Sequence, residues 1–403
     1  MESPDDSTGV RTGRVRLFAS MCGLVFVMNL SRVVFAPLIE PFIRTFGISA
    51  GEAGLVATLA WLGSAAPRLP TGYLLTRVAR HRVVLAAGGV LTAAALFTST
   101  VESPLGLYAG ALAMGLATGV YFIAANPLVS ELFPGQVGRA IGIHGTANQV
   151  AAVGAPVLAG AVLAAGTWRD VFVIVAVVAG LATVALAAFA RRADLPRAGA
   201  DDRDFLGAIR SQWPLIVSGV AIIGITGLVW NGVFNFYVSY LVDAKPVTEP
   251  TARNLLTLAF AAGVPAFWFG GRLADRLPYV PLLLSLIGAF VACVLALTAA
   301  QGLAALVAVS VLVGLVIHSL FPAIDTFLLD SLPDHHRGSA YAAYSATMML
   351  VSATGSVIVG SLRDLGVGFD AVFQGFAVGL FALLVVLLAL YRAGRIPSGA
   401  SPA

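Results

Sequence analysis

Lysine is almost missing from this chain. Lys245 is the only one among 403 residues, and it stands in a polar stretch between apolar runs. A Walker A loop needs Gly-Lys-Ser/Thr to hold nucleotide phosphates, so no P-loop ATPase can be built here and ATP is not expected as a partner. A retinal Schiff base is excluded for the same reason, since no lysine lies inside an apolar run. Charge of either sign is scarce. Only 11% of the residues are Asp, Glu, Lys or Arg, 59% are hydrophobic, and the mean hydropathy is +0.92. Soluble domains carry about 25% charged residues, so a soluble globular protein is excluded. Two cysteines, Cys22 and Cys293, each within an apolar run, give no disulfide framework. No cleavable signal is expected, because the apolar run after the basic N-terminal stretch is too long for one.

What the chain does have is arginine in short loops between long apolar runs. The net charge of +4 therefore reflects loop placement, not one basic face, and nucleic acid is not an expected partner. A membrane span needs about 20 apolar residues. Twelve can be laid out: 17–39, 52–75, 83–101, 105–130, 139–165, 170–190, 213–242, 252–273, 281–300, 303–330, 338–364 and 370–391. With the N-terminus inside, seventeen arginines fall in inner segments and five basic residues in outer ones. Arg32 and Arg68 stay within spans. Lys and Arg accumulate on the cytoplasmic side, so both termini are expected there, in a multi-pass protein of the cell (plasma) membrane. The lipid bilayer is its partner.

The stretch Arg68-Leu-Pro-Thr-Gly72-Tyr-Leu-Leu-Thr-Arg77-Val-Ala-Arg80-His-Arg82 joins an intramembrane arginine to a tight basic loop. It returns 199 residues later as Gly271-Arg-Leu-Ala-Asp275-Arg276-Leu-Pro. The offset also pairs Glu131-Leu-Phe-Pro134 with Asp330-Ser-Leu-Pro333, and Gly115 with Gly314. Duplicated halves of this kind are typical of secondary transporters. The expected organisation is a cytoplasmic tail over 1–16, an N-terminal six-helix bundle over 17–190 and a polar linker over 191–211. A C-terminal six-helix bundle over 212–392 and a tail over 393–403 follow. The Ser-, Pro- and Gly-rich tails are expected to lack regular structure.

These features resemble the major facilitator superfamily over essentially the whole chain. The family's loop after its second helix reads roughly Gly-x-Leu-x-Asp-Arg-x-Gly-Arg-Arg. Gly72, Arg77 and Arg80 match it in the first half, and Gly271, Asp275 and Arg276 in the second. Gly154-Ala-Pro156-Val-Leu-Ala-Gly160 is similar to the Gly-Pro motif of family antiporters. Asn29-Leu-Ser-Arg32 is similar to a segment of members that carry organic anions. There are two departures: the loop aspartate is Thr76, and a usual helix 4 arginine is Ala111. The resemblance implies an all-α membrane protein of twelve helices in two pseudo-symmetric bundles. It implies a carrier that works by alternating access, as symporter or antiporter, with no enzymatic activity, no cofactor and no metal.

Candidate ligands are the polar residues inside spans, since a charge in hydrocarbon is costly and is kept beside a partner or a wet cavity. Arg32 lies about 24 Å along helix 1 at helical rise, on one face with Asn29 and Ala36. Arg68 lies nearer the inner face, flanked by Pro67 and Pro70, and snorkelling is its rival reading. Two arginines in one half point to a small anion, because guanidinium and carboxylate pair bidentately. Trp230, Asn231 and Asn235 mark helix 7, with Asn231 at the place of Arg32 in the repeat. Their rival reading is interhelical packing. His318 and Asp325 share a face of helix 10 and are candidates for proton coupling, with neutralisation of an arginine as the rival for Asp325. Tyr121, His144, Asn148 and Gln149, then Tyr341, Tyr344 and Ser345, could complete a cavity wall. The expectation is a carrier for a small anion, organic or inorganic, with H+ as partner ion. The alternative is a drug or metabolite efflux antiporter. A membrane enzyme is disfavoured, since no Gly-x-Ser-x-Gly or His-Glu-x-x-His motif occurs.

Overall fold

The computed structural model describes residues 4–75, 77–133, 137–191, 205–274, 276–332 and 334–396. Helices are its only extended elements among those residues. In order they are α1 (Pro4–Val33), α2 (Ile39–Phe46), α3 (Ala50–Ala65), α4 (Arg68–Leu74), α5 (Arg80–Thr100), α6 (Pro104–Leu132), α7 (Val137–Leu163) and α8 (Trp168–Ala190). Then come α9 (Phe205–Gly219), α10 (Ile225–Asn235), α11 (Tyr237–Ala244), α12 (Glu249–Ala274), α13 (Tyr279–Ala299), α14 (Gly302–Ser331), α15 (Asp334–Asp364) and α16 (Phe369–Arg392). The dominance of helix follows from the solvent. Within hydrocarbon a backbone must satisfy its own N–H and C=O groups, and a helix does so within one segment.

Ten described segments are long and apolar enough to cross a membrane. Of the twelve expected spans, the two not among them are 52–75 and 252–273. The first is divided between α3 and α4 at Ala66–Pro67, and the second lies on α12. The multi-pass character is also written on the surface of α8 and α16. Leu181, Val184, Val378 and Phe381 are each more than half exposed, which suits a lipid boundary and not an aqueous one.

Several spans expected to be continuous are broken. Helix 1 ends at Val33, and a 3-10 turn over Ala36–Leu38 leads into α2. Pro37, which has no N–H to donate, sits inside that turn. Ala36 therefore leaves the helical face that carries Asn29 and Arg32. Pro67 breaks helix 2 in the same way. Helix 7 is interrupted by a π-helical turn over Val220–Gly224 and again at Phe236. The N-terminal tail was expected to lack structure, yet α1 begins at Pro4. Proline suits a first helical position, where its missing N–H is no loss. The expected linker 191–211 falls mostly outside the described residues, and α9 takes up its last part from Phe205.

The chain divides into two compact units. Unit 1 holds Met1–Val34 and Leu62–Asp202, and unit 2 holds Phe35–Trp61 and Arg203–Ala403. In unit 1, α5 packs on α6 and α8, and α1 on α6, α7 and α8. In unit 2, α12 packs on α14, α10 on α15, and α13 on α14 and α16. With apolar lipid outside, close approach of backbones drives helix association. Gly314 shows how close: a Cβ there would lie 2.0 Å from the Ala259 carbonyl oxygen.

Candidate functional site

Unit 1 gathers its polar groups at the end of α1. Arg32 stands in the last helical turn, where the negative end of the helix dipole favours a cation. Its Nη2 donates to Asn29 Oδ1 at 2.7 Å, and Nη1 reaches Ser64 Oγ at 3.5 Å. The guanidinium carbon lies 5.8 Å from the centroid of the Phe122 ring, within cation–π range. Asn29 in turn donates from Nδ2 to the Asn148 carbonyl at 2.7 Å, which ties α1 to α7. Asn148 Oδ1 is buried with no hydrogen-bond partner among the described residues.

Arg68 opens α4, and its Nε donates to the Ser64 carbonyl at 3.2 Å. That carbonyl is one of the last four of α3, which lack partners within their own helix. Arg68 thus bonds a carbonyl left open where the helix breaks at Pro67. Arg32 and Arg68 lie close enough for their charges to repel. Ser64 joins them, one arginine on its hydroxyl and the other on its carbonyl.

A second polar knot lies on α6 and α7. Tyr121 donates to the Met21 carbonyl at 2.9 Å, and His144 Nε2 lies 2.9 Å from the same hydroxyl. The tyrosine proton goes to the carbonyl, so the imidazole N–H donates to the hydroxyl.

In unit 2 the helix 7 amides turn inward. Asn231 Nδ2 donates to the Gly227 carbonyl at 3.1 Å, and Asn235 Nδ2 donates to the Asn231 carbonyl and to Ser356 Oγ, each at 2.9 Å. The Ser356 hydroxyl donates back to the Asn231 carbonyl at 3.2 Å. Trp230 sits in an aromatic core, with ring centroids 5.4 Å from Phe234, 6.0 Å from Phe260, 6.4 Å from Phe290 and 5.7 Å from His318. Phe260 and Phe267 also flank His318, whose Nδ1 lies 2.8 Å from the Gly314 carbonyl. The imidazole fits because residue 263 is glycine: a Cβ there would come within 2.6 Å of the ring. Asp325 has other company. Its Oδ1 accepts from Tyr341 Oη at 2.9 Å, and the Tyr341 and Tyr344 rings are 5.7 Å apart. His318 and Asp325 therefore have separate partners.

The loop motif is partly described. Gly72 and Arg77 are exposed, and Arg77 bonds to the Tyr73 hydroxyl and lies over its ring. Arg80 forms an ion pair with Glu131 at the end of α6. Gly271 ends the apolar part of α12, Arg276 is exposed, and Asp275 lies outside the described residues. Three contributors escaped sequence reasoning: Ser64, Phe122 and the pairing of Glu131 with Arg80. Only Ser64 left a signal, standing one helical turn before Arg68.

The sequence matches the Major Facilitator Superfamily over residues 21–297 and again over 220–403. The chain belongs to the major facilitator superfamily. Two structures of a bacterial homologue of the human lysosomal transporter Spinster share its fold. One is inward-facing and occupied, with a TM-score of 0.78 and 18% identity; the other is inward-facing and unoccupied, with a TM-score of 0.75 and 17% identity. Both alignments cover 97% of this chain and 99% of the homologue, and at such identity they speak to the fold alone. Among curated proteins, the uncharacterized transporter YgaY of Escherichia coli O157:H7 is 31% identical over 157 residues, as is its counterpart from strain K12. The aligned part covers 37% of this chain and 38% of the relatives' own length. The protein is a multi-pass membrane protein of the superfamily and has the fold of its transporters.

Proposed function

We propose that the chain carries a small anion, organic or inorganic, across the plasma membrane by alternating access. Arg32 is its principal ligand and Arg68 its support. The two six-span halves, 17–190 and 212–392, are joined by the linker 191–211, and both termini are cytoplasmic. The observation that carries this reading is the placement of Arg32. A permanent cation deep in a span is held by the neutral groups of Asn29 and Ser64, with a second guanidinium nearby. A carboxylate or phosphate would offset that repulsion and accept bidentate bonds. Asn29, through its bond to Asn148, holds the Arg32 fork in orientation.

A proton is the coupling ion in this reading. Asp325, beside the Tyr341 hydroxyl, supplies an acid within a span, and His318 supplies a titratable ring. The motif residues Gly72, Arg77, Arg80, Gly271, Asp275 and Arg276 act at the cytoplasmic face as gating elements. Efflux of lipophilic drugs or metabolites is the second reading, and the aromatic surroundings of Trp230 favour it. A thermal-shift screen of the purified protein against small carboxylates, phosphate and lipophilic cations separates the two. Anions should stabilise the protein and lose their effect in Arg32→Ala. Uptake of the stabilising anion into proteoliposomes, measured with and without a proton gradient, should be abolished by the same change. Transport that survives Arg32→Ala, or stabilisation by cations alone, defeats the anion assignment.

A further inference from the structure

Helix 7 breaks where its pair of buried amides ends. α10 stops at Asn235 and α11 starts at Tyr237, with Phe236 between them at φ −99° and ψ 11°. The Phe236 N–H still reaches the Gly232 carbonyl at 3.3 Å, and the Tyr240 N–H takes up the Phe236 carbonyl at 2.7 Å. The carbonyls at 233–235 fall at the break. They are among the last four of α10, which lack partners within their own helix. They also stand at the negative end of that helix.

Two side chains flank the break with an oxygen to spare. Asn235 is 1% exposed and Ser239 is 6% exposed. The Asn235 amide is fixed in orientation, because Nδ2 faces the Asn231 carbonyl at 2.9 Å and a carbonyl only accepts. Oδ1, on the other corner of the planar amide, is turned from that carbonyl. It is buried with no hydrogen-bond partner among the described residues, and so is Ser239 Oγ. Elsewhere in unit 2 a buried helix hydroxyl closes on the carbonyl four residues before it, as Thr226 does on Ile222 at 2.5 Å and Ser310 on Leu306 at 2.6 Å. For Ser239 that carbonyl belongs to Asn235, across the break. Phe236 stays in the bridge region next to helical values, so the spacing of four still puts both spare oxygens on one face.

We propose that the break in helix 7 is a binding site for a small monovalent cation, sodium, held by Asn235 Oδ1, Ser239 Oγ and the carbonyl end of α10. The amide oxygen and the carbonyls are acceptors only, and a cluster of acceptors at the negative end of a helix lacks positive charge. Hard cations take oxygen ligands, and interrupted membrane helices supply them from freed carbonyls. The set is neutral, which suits a single charge. The next carboxylate along the chain, Asp243, is exposed and paired with Arg363 at 2.9 Å. Phe234, Phe236 and Tyr240 beside the break are buried, so the ligands are shielded from bulk water. The site lies wholly within unit 2 and does not rest on the anion reading.

The test needs no cargo. Purified protein in detergent is unfolded by heat in choline chloride, with choline replaced stepwise by Na+ or K+ at constant ionic strength. Na+ should raise the midpoint in a saturable way, and K+ much less. Binding of radioactive Na+ to the same protein should saturate at a single ion per chain. Ser239→Ala should raise the Na+ concentration for half-effect at least several-fold and leave the midpoint in choline near the parent value. Ser356→Ala touches the Nδ2 side of the same amide. It should lower the midpoint equally in both salts and keep the Na+ response, which separates loss of the ion from loss of packing. The absence of both Na+ binding and a Na+-specific shift overturns the proposal and leaves water as the bridge between the oxygens. A Na+ response unchanged in Ser239→Ala also overturns it, since the ion then binds elsewhere. If the alanine variant does not fold, the same results are read from Ser239→Cys, which keeps the shape and puts a soft sulfur in place of the oxygen.

Discussion

Arg32, in the last turn of α1, gives its two terminal nitrogens to the side chains of Asn29 and Ser64 and keeps part of its surface open. Asn231 stands 199 residues later, at the equivalent place in the second half of the sequence. It is 3% exposed, and its amide donates to its own helix. One half thus puts a charge where the other puts an amide, and the surroundings differ accordingly. A guanidinium in a span is kept beside polar partners or a water-filled cavity. The amide N–H groups of Asn231 and Asn235 find partners in the backbone and in Ser356, while Asn235 Oδ1 has no hydrogen-bond partner among the described residues. Beside them, Trp230 and His318 belong to a ring-packed core. In the proposed reading the two halves divide the labour: the arginine ligands lie in unit 1, while Trp230, Asn231 and Asn235 are packed among rings and backbone groups in unit 2.

Exchanging the two residues puts that division to its hardest test. Arg32→Asn removes charged hydrogen bonds worth about 3 kcal/mol, so anion binding should weaken by about a hundredfold. The thermal-shift titration reads this. Asn231→Arg should act on the fold instead. A cation buried on α10 without a carboxylate costs about 3–5 kcal/mol, seen as a lower unfolding midpoint in detergent. If Asn231→Arg is tolerated, the equivalent place in unit 2 is wet too, and the contrast between the halves disappears.

Trp230→Ala probes the aromatic side. The indole has four rings around it, and truncating a core aromatic costs about 3–5 kcal/mol. A loss of stability with anion binding kept in the folded fraction would confirm a packing role. A loss of binding at parent stability would move Trp230 from the core to the ligand shell and favour the efflux reading.

Much of the architecture was legible because the bilayer imposes it. Apolar runs of fixed length, arginine in the loops and an internal offset of 199 residues need no tertiary information. The interruptions were less so. Pro37 and Pro67 were visible as residues, but whether a membrane helix bends or breaks at a proline depends on what its neighbours supply. The site was legible one residue at a time. Arg32 and Asn29 share a face by spacing, and they do bond. Phe122 reaches Arg32 from 90 residues further on, which no local pattern encodes. His318 and Asp325 also share a face, yet seven residues of helix put them about 10 Å apart along the axis. Spacing on a helix reports direction, and contact needs a partner from another helix, here Tyr341 for one and the aromatic rings for the other.

Ser356 is where the smallest effect should be found. Its hydroxyl accepts from Asn235 and donates to the Asn231 carbonyl, so it bridges α15 to α10. Replacing it with alanine removes both bonds. The Asn235 amide would still donate to the Asn231 carbonyl at 2.9 Å, so no donor is left wholly unpaired. Side-chain hydrogen bonds between membrane helices average about 0.6 kcal/mol and reach about 1.7 kcal/mol, and Ser356→Ala should fall near the lower figure. Reversible unfolding in mixed detergent would measure it, with anion affinity unchanged beside it. A loss well above the upper figure, or a change in affinity, would show that the helix 7 amides do more than hold two helices together. Such a result would support Arg32 and Asn231 as equivalent ligand positions.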